Sequence, residues 1–257
     1  MAKLIVGNWK MNGRVAGLAG YAAELKAAGL AQAGVPAELV VCPPAPLLPL
    51  LAEALAGGAV AVGAQDCHVH ASGAHTGDLS PVLLAEVGCR YVIVGHSERR
   101  QDHHETDELV AAKATAALAA GLVPIVCVGE TAAERAAGQA LARVAAQVAG
   151  SVPADAGISG GADLVVAYEP VWAIGSGATP TPAEIAEVHG ALRACLARGL
   201  GRAGAESVRL LYGGSVKPGN AAELLATPDV DGALVGGASL AAADFWAICR
   251  SVAGRRG

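Results

Sequence analysis

Short apolar runs alternate with longer, alanine-rich segments of helical period from one end of the chain to the other. The runs are Leu4–Trp9, Leu39–Cys42, Val60–Ala64, Tyr91–Gly95, Val123–Val128, Leu164–Tyr168, Val208–Tyr212 and Gly232–Val235. The segments between and after them read as helices over Val15–Ala28, Ala45–Ala56, Pro81–Val87, Thr106–Ala120, Thr131–Ala149, Pro182–Arg198, Lys217–Ala226 and Leu240–Val252. Thr181-Pro182 pairs a capping residue with a proline suited to a first turn, while Gly29, Gly121 and Gly199 stand where helices should close. A sheet with one wet face would alternate polar and apolar positions, and these runs barely do. Parallel strands covered by helices are therefore expected. Eight strand–helix pairs in succession predict an α/β fold, a closed (β/α)8 barrel of eight parallel strands with outer helices. A doubly wound open sheet is the alternative.

Length and composition fit that architecture. At 257 residues, 53% of them hydrophobic, the chain can bury a large core, and no linker, charge block or break in composition divides it. Residues 1–257 read as a single barrel domain. A net charge of −5 and an aromatic content of 3% give neither a basic face nor stacking platforms for nucleic acid. Mean hydropathy is positive at +0.45, but alanine supplies most of it and charges interrupt every long apolar stretch, so no membrane span is expected. Met1–Gly7 is too short an apolar run for a secretion signal before Lys10 intervenes. The cysteines, Cys42, Cys67, Cys89, Cys127, Cys195 and Cys249, form no Cys-x-x-Cys pair and read as reduced, buried thiols of a cytoplasmic protein.

Chemistry is expected at the C-terminal ends of the strands, where barrels of this kind keep their working face. Asn8, Trp9 and Lys10 follow the first strand; His96, Ser97 and Glu98 follow the fourth; Glu169 ends the sixth. Pro170 cannot donate to a sheet ladder, so pairing should stop at Glu169 and leave its carboxylate facing the loop beyond. A loop that shuts out water there would raise the acid toward neutral-pH proton chemistry. Gly213-Gly214-Ser215 and Gly236-Gly237 follow the last two strands, where backbone N–H groups can approach a phosphate. No Walker loop or complete dinucleotide fingerprint is present, so no nucleotide cofactor is expected. His68, His70 and the pair His103-His104 lack a Glu or Cys at zinc-ligand spacing, and no metal is expected. Asp66–Leu79 is longer than a local connection needs, and its tip of small and polar residues suits entry into a partner's pocket.

Gly7-Asn8-Trp9-Lys10-Met11-Asn12, Gly95-His96-Ser97-Glu98-Arg99-Arg100, Tyr168-Glu169-Pro170-Val171-Trp172-Ala173-Ile174-Gly175, Tyr212-Gly213-Gly214-Ser215 and Val235-Gly236-Gly237-Ala238 occur in that order, each at an expected strand end. Together they resemble the triosephosphate isomerase family over essentially the whole chain. The resemblance implies a TIM barrel that interconverts dihydroxyacetone phosphate and D-glyceraldehyde 3-phosphate through an enediolate, in glycolysis and gluconeogenesis, with no cofactor or metal. It implies catalytic roles for Glu169 as the base, for His96 as a neutral electrophile kept so by the helix start at Ser97, for Lys10 as oxyanion stabiliser with Asn8 beside it, and for Glu98 in the polar network. Ser97 would hold Glu169 with the lid open. The substrate would lie on Asn8, Lys10, Gly175, Ser215, Gly236 and Gly237, under a lid formed by Pro170, Val171, Trp172, Ala173, Ile174, Gly175, Ser176, Gly177, Ala178 and Thr179. A homodimer is implied, with Thr76 and His75 as contacts and Thr76 approaching Asn8 and Lys10 of the other subunit.

The chain departs from the common pattern of that family in the lid, where Ser176 stands for a frequent threonine and Ala178-Thr179-Pro180 forms the second hinge. It also departs in the long loop, where His75 replaces an aromatic and Asp66 an asparagine. Cys127 falls where the family has a cysteine near the base and reads as packing. Two other functions are the alternatives: another phosphosugar barrel enzyme, which would need a Schiff-base lysine inside a strand or a metal cluster, and a non-catalytic barrel acting as a binding protein.

Overall fold

A computed structural model describes residues 2–31, 37–153, 164–175 and 178–254. Eight strands follow one another in chain order: β1 (Lys3–Asn8), β2 (Ala37–Cys42), β3 (Val60–Ala64), β4 (Cys89–Val94), β5 (Val123–Val128), β6 (Val165–Tyr168), β7 (Arg209–Tyr212) and β8 (Gly232–Val235). Each pairs in parallel with the next, and β8 closes on β1 with Leu4 opposite Gly232 and Gly7 opposite Val235. The barrel is closed, and the open doubly wound sheet is set aside.

The continuous apolar runs resolve into two faces of period two. Leu4 and Val6 of β1, Val123, Ile125 and Cys127 of β5, and Val165 and Ala167 of β6 fill the barrel interior. Ile5, Val126, Val128, Val166 and Tyr168 point outward and meet the helices. Both faces are dry, which is why the strands show no polar alternation. Each fully buried Leu, Ile or Val on either face contributes about 2 kcal/mol in burial.

The helices are α1 (Val15–Ala31), α2 (Leu48–Leu55), α3 (Pro81–Glu86), α4 (Ser97–Asp102), α5 (Asp107–Ala119), α6 (Ala132–Ala136), α7 (Ala140–Ser151), α8 (Pro182–Ser207), α9 (Ala221–Leu224) and α10 (Ala242–Arg250). Several differ from the sequence expectation for local reasons. Gly29 does not close α1, which runs on to Ala31. The segment expected over Thr131–Ala149 is two helices, broken where Gly138 adopts a φ of +70°. Gly199 does not stop α8; the break falls at Gly201 (φ +74°), after which the helix resumes to Ser207. Thr181 caps α8 as expected, its side chain accepting the Glu184 N–H while the Glu184 carboxylate takes the Thr181 N–H at 2.7 Å. The expected final helix starts late, because Gly237–Leu240 forms a 3-10 turn before α10.

The N-terminal end of the barrel is sealed by a polar cluster. The Arg209 guanidinium donates to Glu38 Oε2 at 2.7 Å and to the Tyr91 hydroxyl at 2.9 Å, and that hydroxyl donates to Glu38 Oε1 at 2.6 Å. No helix among the described residues is long and apolar enough to cross a membrane.

Candidate functional site

The opposite end of the barrel holds a cavity of about 620 Å³. Asn8 and Lys10 reach it from the end of β1, His96 from β4, Glu169 from β6, Gly213, Gly214 and Ser215 from β7, and Gly236 and Gly237 from β8. Closure of the sheet is what brings these distant sequence positions together.

Glu169 lies one residue past β6. Its N–H still bonds to the Val128 carbonyl at 2.8 Å, and pairing ends there because Pro170 has no N–H to offer. Its neighbours leave room for it: a Cβ on Gly129 would stand 1.7 Å from the Glu169 carbonyl oxygen, and one on Gly213 would stand 3.0 Å from its Cγ. The carboxylate is 2% exposed. Oε1 lies 2.8 Å from His96 Nε2, and Oε2 accepts the backbone N–H of Ser97 at 2.9 Å. Ser97 thus holds Glu169 through its amide.

His96 caps α4, its Nδ1 accepting the Glu98 N–H at 3.2 Å. A ring nitrogen used as an acceptor leaves the proton on Nε2, where it donates to Glu169. Burial pushes the His96 pKa down, but the Glu169 carboxylate outweighs it through charge and hydrogen bond, and the net shift is upward. Burial likewise pushes Glu169 up, and the His96 charge and hydrogen bond, the Ser97 amide and Lys10 bring it below its ordinary range. The helix start is therefore only half of the balance expected at His96; while the two side chains touch, the carboxylate decides it.

Lys10 is held in a costly backbone conformation, with φ +52° in the left-handed region that a non-glycine residue enters at about 1–2 kcal/mol. The conformation is pinned on both sides. The Lys10 N–H donates to Asn8 Oδ1 at 2.9 Å, and Gln65 Nε2 donates to the Lys10 and Cys42 carbonyls, each at 2.9 Å. The ammonium pairs with Glu98, whose side chain is half exposed and lies outside the cavity lining.

After β8, Gly237 opens the 3-10 turn, and the turn is tied to the loop after β1 by the Trp9 indole and to α1 by the Tyr21 hydroxyl, which donate to the Ser239 carbonyl at 3.1 and 2.7 Å. Asn220 braces the other loop, donating to the Ser215 carbonyl at 3.0 Å and accepting the Lys217 N–H at 2.8 Å. Lys217 also lines the cavity, a second cation at a position that the sequence marks only as an expected helix start.

Of the residues expected to form a lid, Val171–Ala173 forms a 3-10 turn, Ile174 and Gly175 line the cavity, and Ser176 and Gly177 lie outside the described residues. The Trp172 indole N–H donates to Glu130 Oε1 at 2.9 Å. Glu130 is fully buried, and the same oxygen accepts the Tyr168 hydroxyl and Arg135 Nη1, both at 3.1 Å. Arg135 stands over the Trp172 ring at 5.0 Å and reaches Glu184 in the first turn of α8 at 2.5 Å. Glu130, Arg135 and Gln65 carry no sequence mark of such a role, because only the fold brings them to Trp172 and to Lys10.

Cys127 is buried beside Glu169, and burial first, then the carboxylate's charge, raise its thiol well above the ordinary range. Cys195 is only half-buried, unlike the other cysteines. Thr76 and His75 sit on the loop between β3 and α3, away from the cavity lining. Linear spacing gave His68 no metal partner, yet the folded loop brings His75 and the Asp78 carboxylate to it.

Known proteins resemble the chain over nearly its whole length. The family model described as triosephosphate isomerase matches residues 3–252. A triosephosphate isomerase of Acidiphilium cryptum is 59% identical, covering 98% of this chain and 99% of that relative. One of Rhodopseudomonas palustris is also 59% identical, with 95% of each covered. The crystal structure of triosephosphate isomerase from Bartonella henselae superimposes with a TM-score of 0.88 at 43% identity, covering 98% of this chain and 99% of that one. The chain belongs to the triosephosphate isomerase family.

Proposed function

We propose that Glu169 moves the proton between the two carbons of the triose phosphate, with His96 and Lys10 stabilising the charge that develops on the oxygens. The overall reaction is the interconversion of dihydroxyacetone phosphate and D-glyceraldehyde 3-phosphate, an aldose–ketose isomerisation of glycolysis. The observation that carries the division of labour is the contact of the buried Glu169 with His96 Nε2 and the Ser97 amide, beside a Lys10 held in a strained conformation.

The chemistry follows from that contact. Glu169 takes a proton from one carbon, the enediolate forms, and the same carboxyl returns the proton to the neighbouring carbon. Leaving His96 for the substrate removes the negative charge that raises the imidazole, so the helix start at Ser97 then governs it and the neutral ring donates from Nε2 to the substrate oxygens. Lys10 faces the same oxygens with Asn8 beside it, and Glu98 positions its ammonium. The phosphate rests on the backbone N–H groups of Gly175, Ser215, Gly236 and Gly237, with Lys217 near. Pro170 to Thr179 closes over it and keeps the enediolate from losing phosphate.

An aldolase-like mechanism lacks its residue: Lys3, in β1, donates to the Val230 carbonyl at the far end of the barrel from the cavity. Assembly as a cytoplasmic homodimer through Thr76 and His75 completes the reading. The length of the loop supports it, and light scattering tests it, a monomer at assay concentration overturning that part. In a coupled assay with glyceraldehyde 3-phosphate, Glu169→Gln should lose about 100- to 10,000-fold in kcat and Glu169→Asp about 100-fold. Intact turnover in Glu169→Gln would assign the proton transfer to another group.

A further inference from the structure

His96 and Glu169 stand at strand ends, and one side chain outside the cavity ties the ends of β4 and β5 together. Arg100, on α4, is mostly buried and spreads its guanidinium across the place where these strands part. Their pairing ends at Val94 and Val126. One residue further along each, the carbonyls of Gly95 and Cys127 accept from Arg100, the first from Nε at 2.8 Å and the second from Nη2 at 3.1 Å. The fork is held from behind as well. Nη1 donates to Asp107 Oδ1 at 2.6 Å, Nη2 also donates to Ser151 Oγ at 3.0 Å, and that hydroxyl donates to Asp107 Oδ1 at 3.0 Å. Asp107 starts α5 and Ser151 ends α7, so one guanidinium joins two strands and two outer helices. A planar group with five N–H donors can span such a set, whereas an ammonium donates from a single point. Packing leaves it little slack: Gly95 turns left-handed at φ +64°, and a Cβ there would stand 3.0 Å from Arg100 Nη2 and 2.7 Å from a Val110 methyl.

We propose that Arg100 is a positioning residue of the isomerisation, setting the His96 imidazole against the Glu169 carboxylate from outside the cavity. The inference rests on the roles given above to those two side chains. The Gly95 carbonyl belongs to the peptide that joins His96 to β4, and the Arg100 N–H takes the His96 carbonyl at 3.0 Å, so His96 is held on both sides. The Cys127 carbonyl belongs to the peptide ahead of Val128, whose own carbonyl accepts the Glu169 N–H at 2.8 Å. Arg100 itself does not line the large cavity. Its effect therefore passes through the backbone of the two groups and not through contact with substrate.

A residue that acts through geometry should govern turnover and spare binding. Arg100→Lys keeps the charge beside Asp107 but cannot clamp both carbonyls, so kcat should fall on the order of 100-fold, the cost of a misplacement of about 1 Å. KM and affinity for inorganic sulfate should change little. Arg100→Ala leaves space continuous with a smaller cavity of about 150 Å³, lined by Arg100 with Ser97, Gln101 and Cys127. Millimolar methylguanidinium should restore part of kcat in that variant, and methylammonium should not. A double-mutant cycle separates positioning from general loss of stability: Arg100→Lys should cost far less in a His96→Gln background than in the unsubstituted chain. Circular dichroism and urea unfolding check each fold, and if Arg100→Ala does not fold, the cycle with Arg100→Lys decides. Unchanged kcat in folded Arg100→Lys, or an equal loss in both backgrounds, would overturn the proposal. Full turnover in His96→Gln alone is a different failure, because it would overturn the role given to His96 itself.

Discussion

At the scale of single residues, the groups proposed to touch substrate are legible in the sequence and the groups that hold them are not. Glu169, His96 and Lys10 stand at strand ends next to chain-breaking or glycine-rich sequence, so their exposure to the cavity follows from local pattern. Gln65 follows β3 with no local mark, yet its amide fixes the carbonyl of Lys10 and of Cys42. Pairing of β3 with β2 and of β2 with β1 puts the end of β3 near the start of the Lys10 loop. The left-handed backbone at Lys10 has the same origin, since a lysine carries no sequence sign of positive φ. Lys10→Met keeps most of the packing volume and removes the ammonium facing the developing oxyanion. The expected loss is about 3 kcal/mol or more of transition-state stabilisation, read as a fall in kcat/KM of at least about 100-fold. Affinity for inorganic sulfate should fall as well, by less, because Lys217 remains on the cavity wall. Full activity at any salt concentration would sink the assignment of Lys10.

At the scale of elements, the strands were the readable part and the helix boundaries the less readable one. An apolar run buried on both faces has one interpretation once eight recur in step. Helix ends depend on single bonds: Gly201 rather than Gly199 breaks α8 because that is where the backbone turns left-handed, and α4 forms over a charged stretch because His96 caps it. The segment proposed as a lid shows how elements are coupled. Trp172 is anchored to Glu130, Glu130 to Arg135, and Arg135 to Glu184 in the capping box that starts α8. The Thr181 amide first, then Arg135 and the Thr181 hydroxyl, hold the Glu184 carboxyl down at about 2, so this tie persists across the neutral range. Trp172→Phe retains an aromatic ring beside Arg135 but is smaller than the indole and lacks the N–H donor to a buried carboxylate, and loss of that donor costs about 1–3 kcal/mol in anchoring the segment. The variant should fold, bind substrate less tightly and release more methylglyoxal per turnover, because a loosened lid admits water to the enediolate. Product analysis decides: unchanged partitioning between isomer and methylglyoxal would show that the Trp172–Glu130 bond does not hold the lid.

At the scale of the whole molecule, stability is set by groups far from the cavity, and one of them gives a pH signature that can be isolated. His189 lies on α8, fully buried, with Nδ1 2.9 Å from the Asp229 carbonyl and Nε2 without a partner among the described residues. The ring therefore donates from Nδ1 and stays neutral. Burial pushes its pKa down to about 4, and the Asp229 carbonyl and nearby carboxylates only partly offset this. Unfolding returns the ring to its ordinary value near 6.5, so between these values the unfolded chain binds the extra proton and stability rises with pH. The contribution, about 3 kcal/mol from the separation of the two values, is fully present above pH 6.5 and is lost as pH falls through 4. Other groups act elsewhere. His96 is raised, so its contribution is complete below 6.5 and is lost as pH rises from 6.5 through its folded value; Glu38, raised by burial but brought below its ordinary range by Tyr91 and Arg209, loses its contribution as pH falls below its ordinary 4.5. The interval from pH 6.5 to 4.5 therefore reports His189 among these groups. His189→Gln keeps an N–H donor for the Asp229 carbonyl and removes the titration. Urea unfolding across that interval should show a marked decline in stability for the unsubstituted chain and a much flatter profile for His189→Gln. Parallel profiles in the two proteins would show that the acid sensitivity arises at another group.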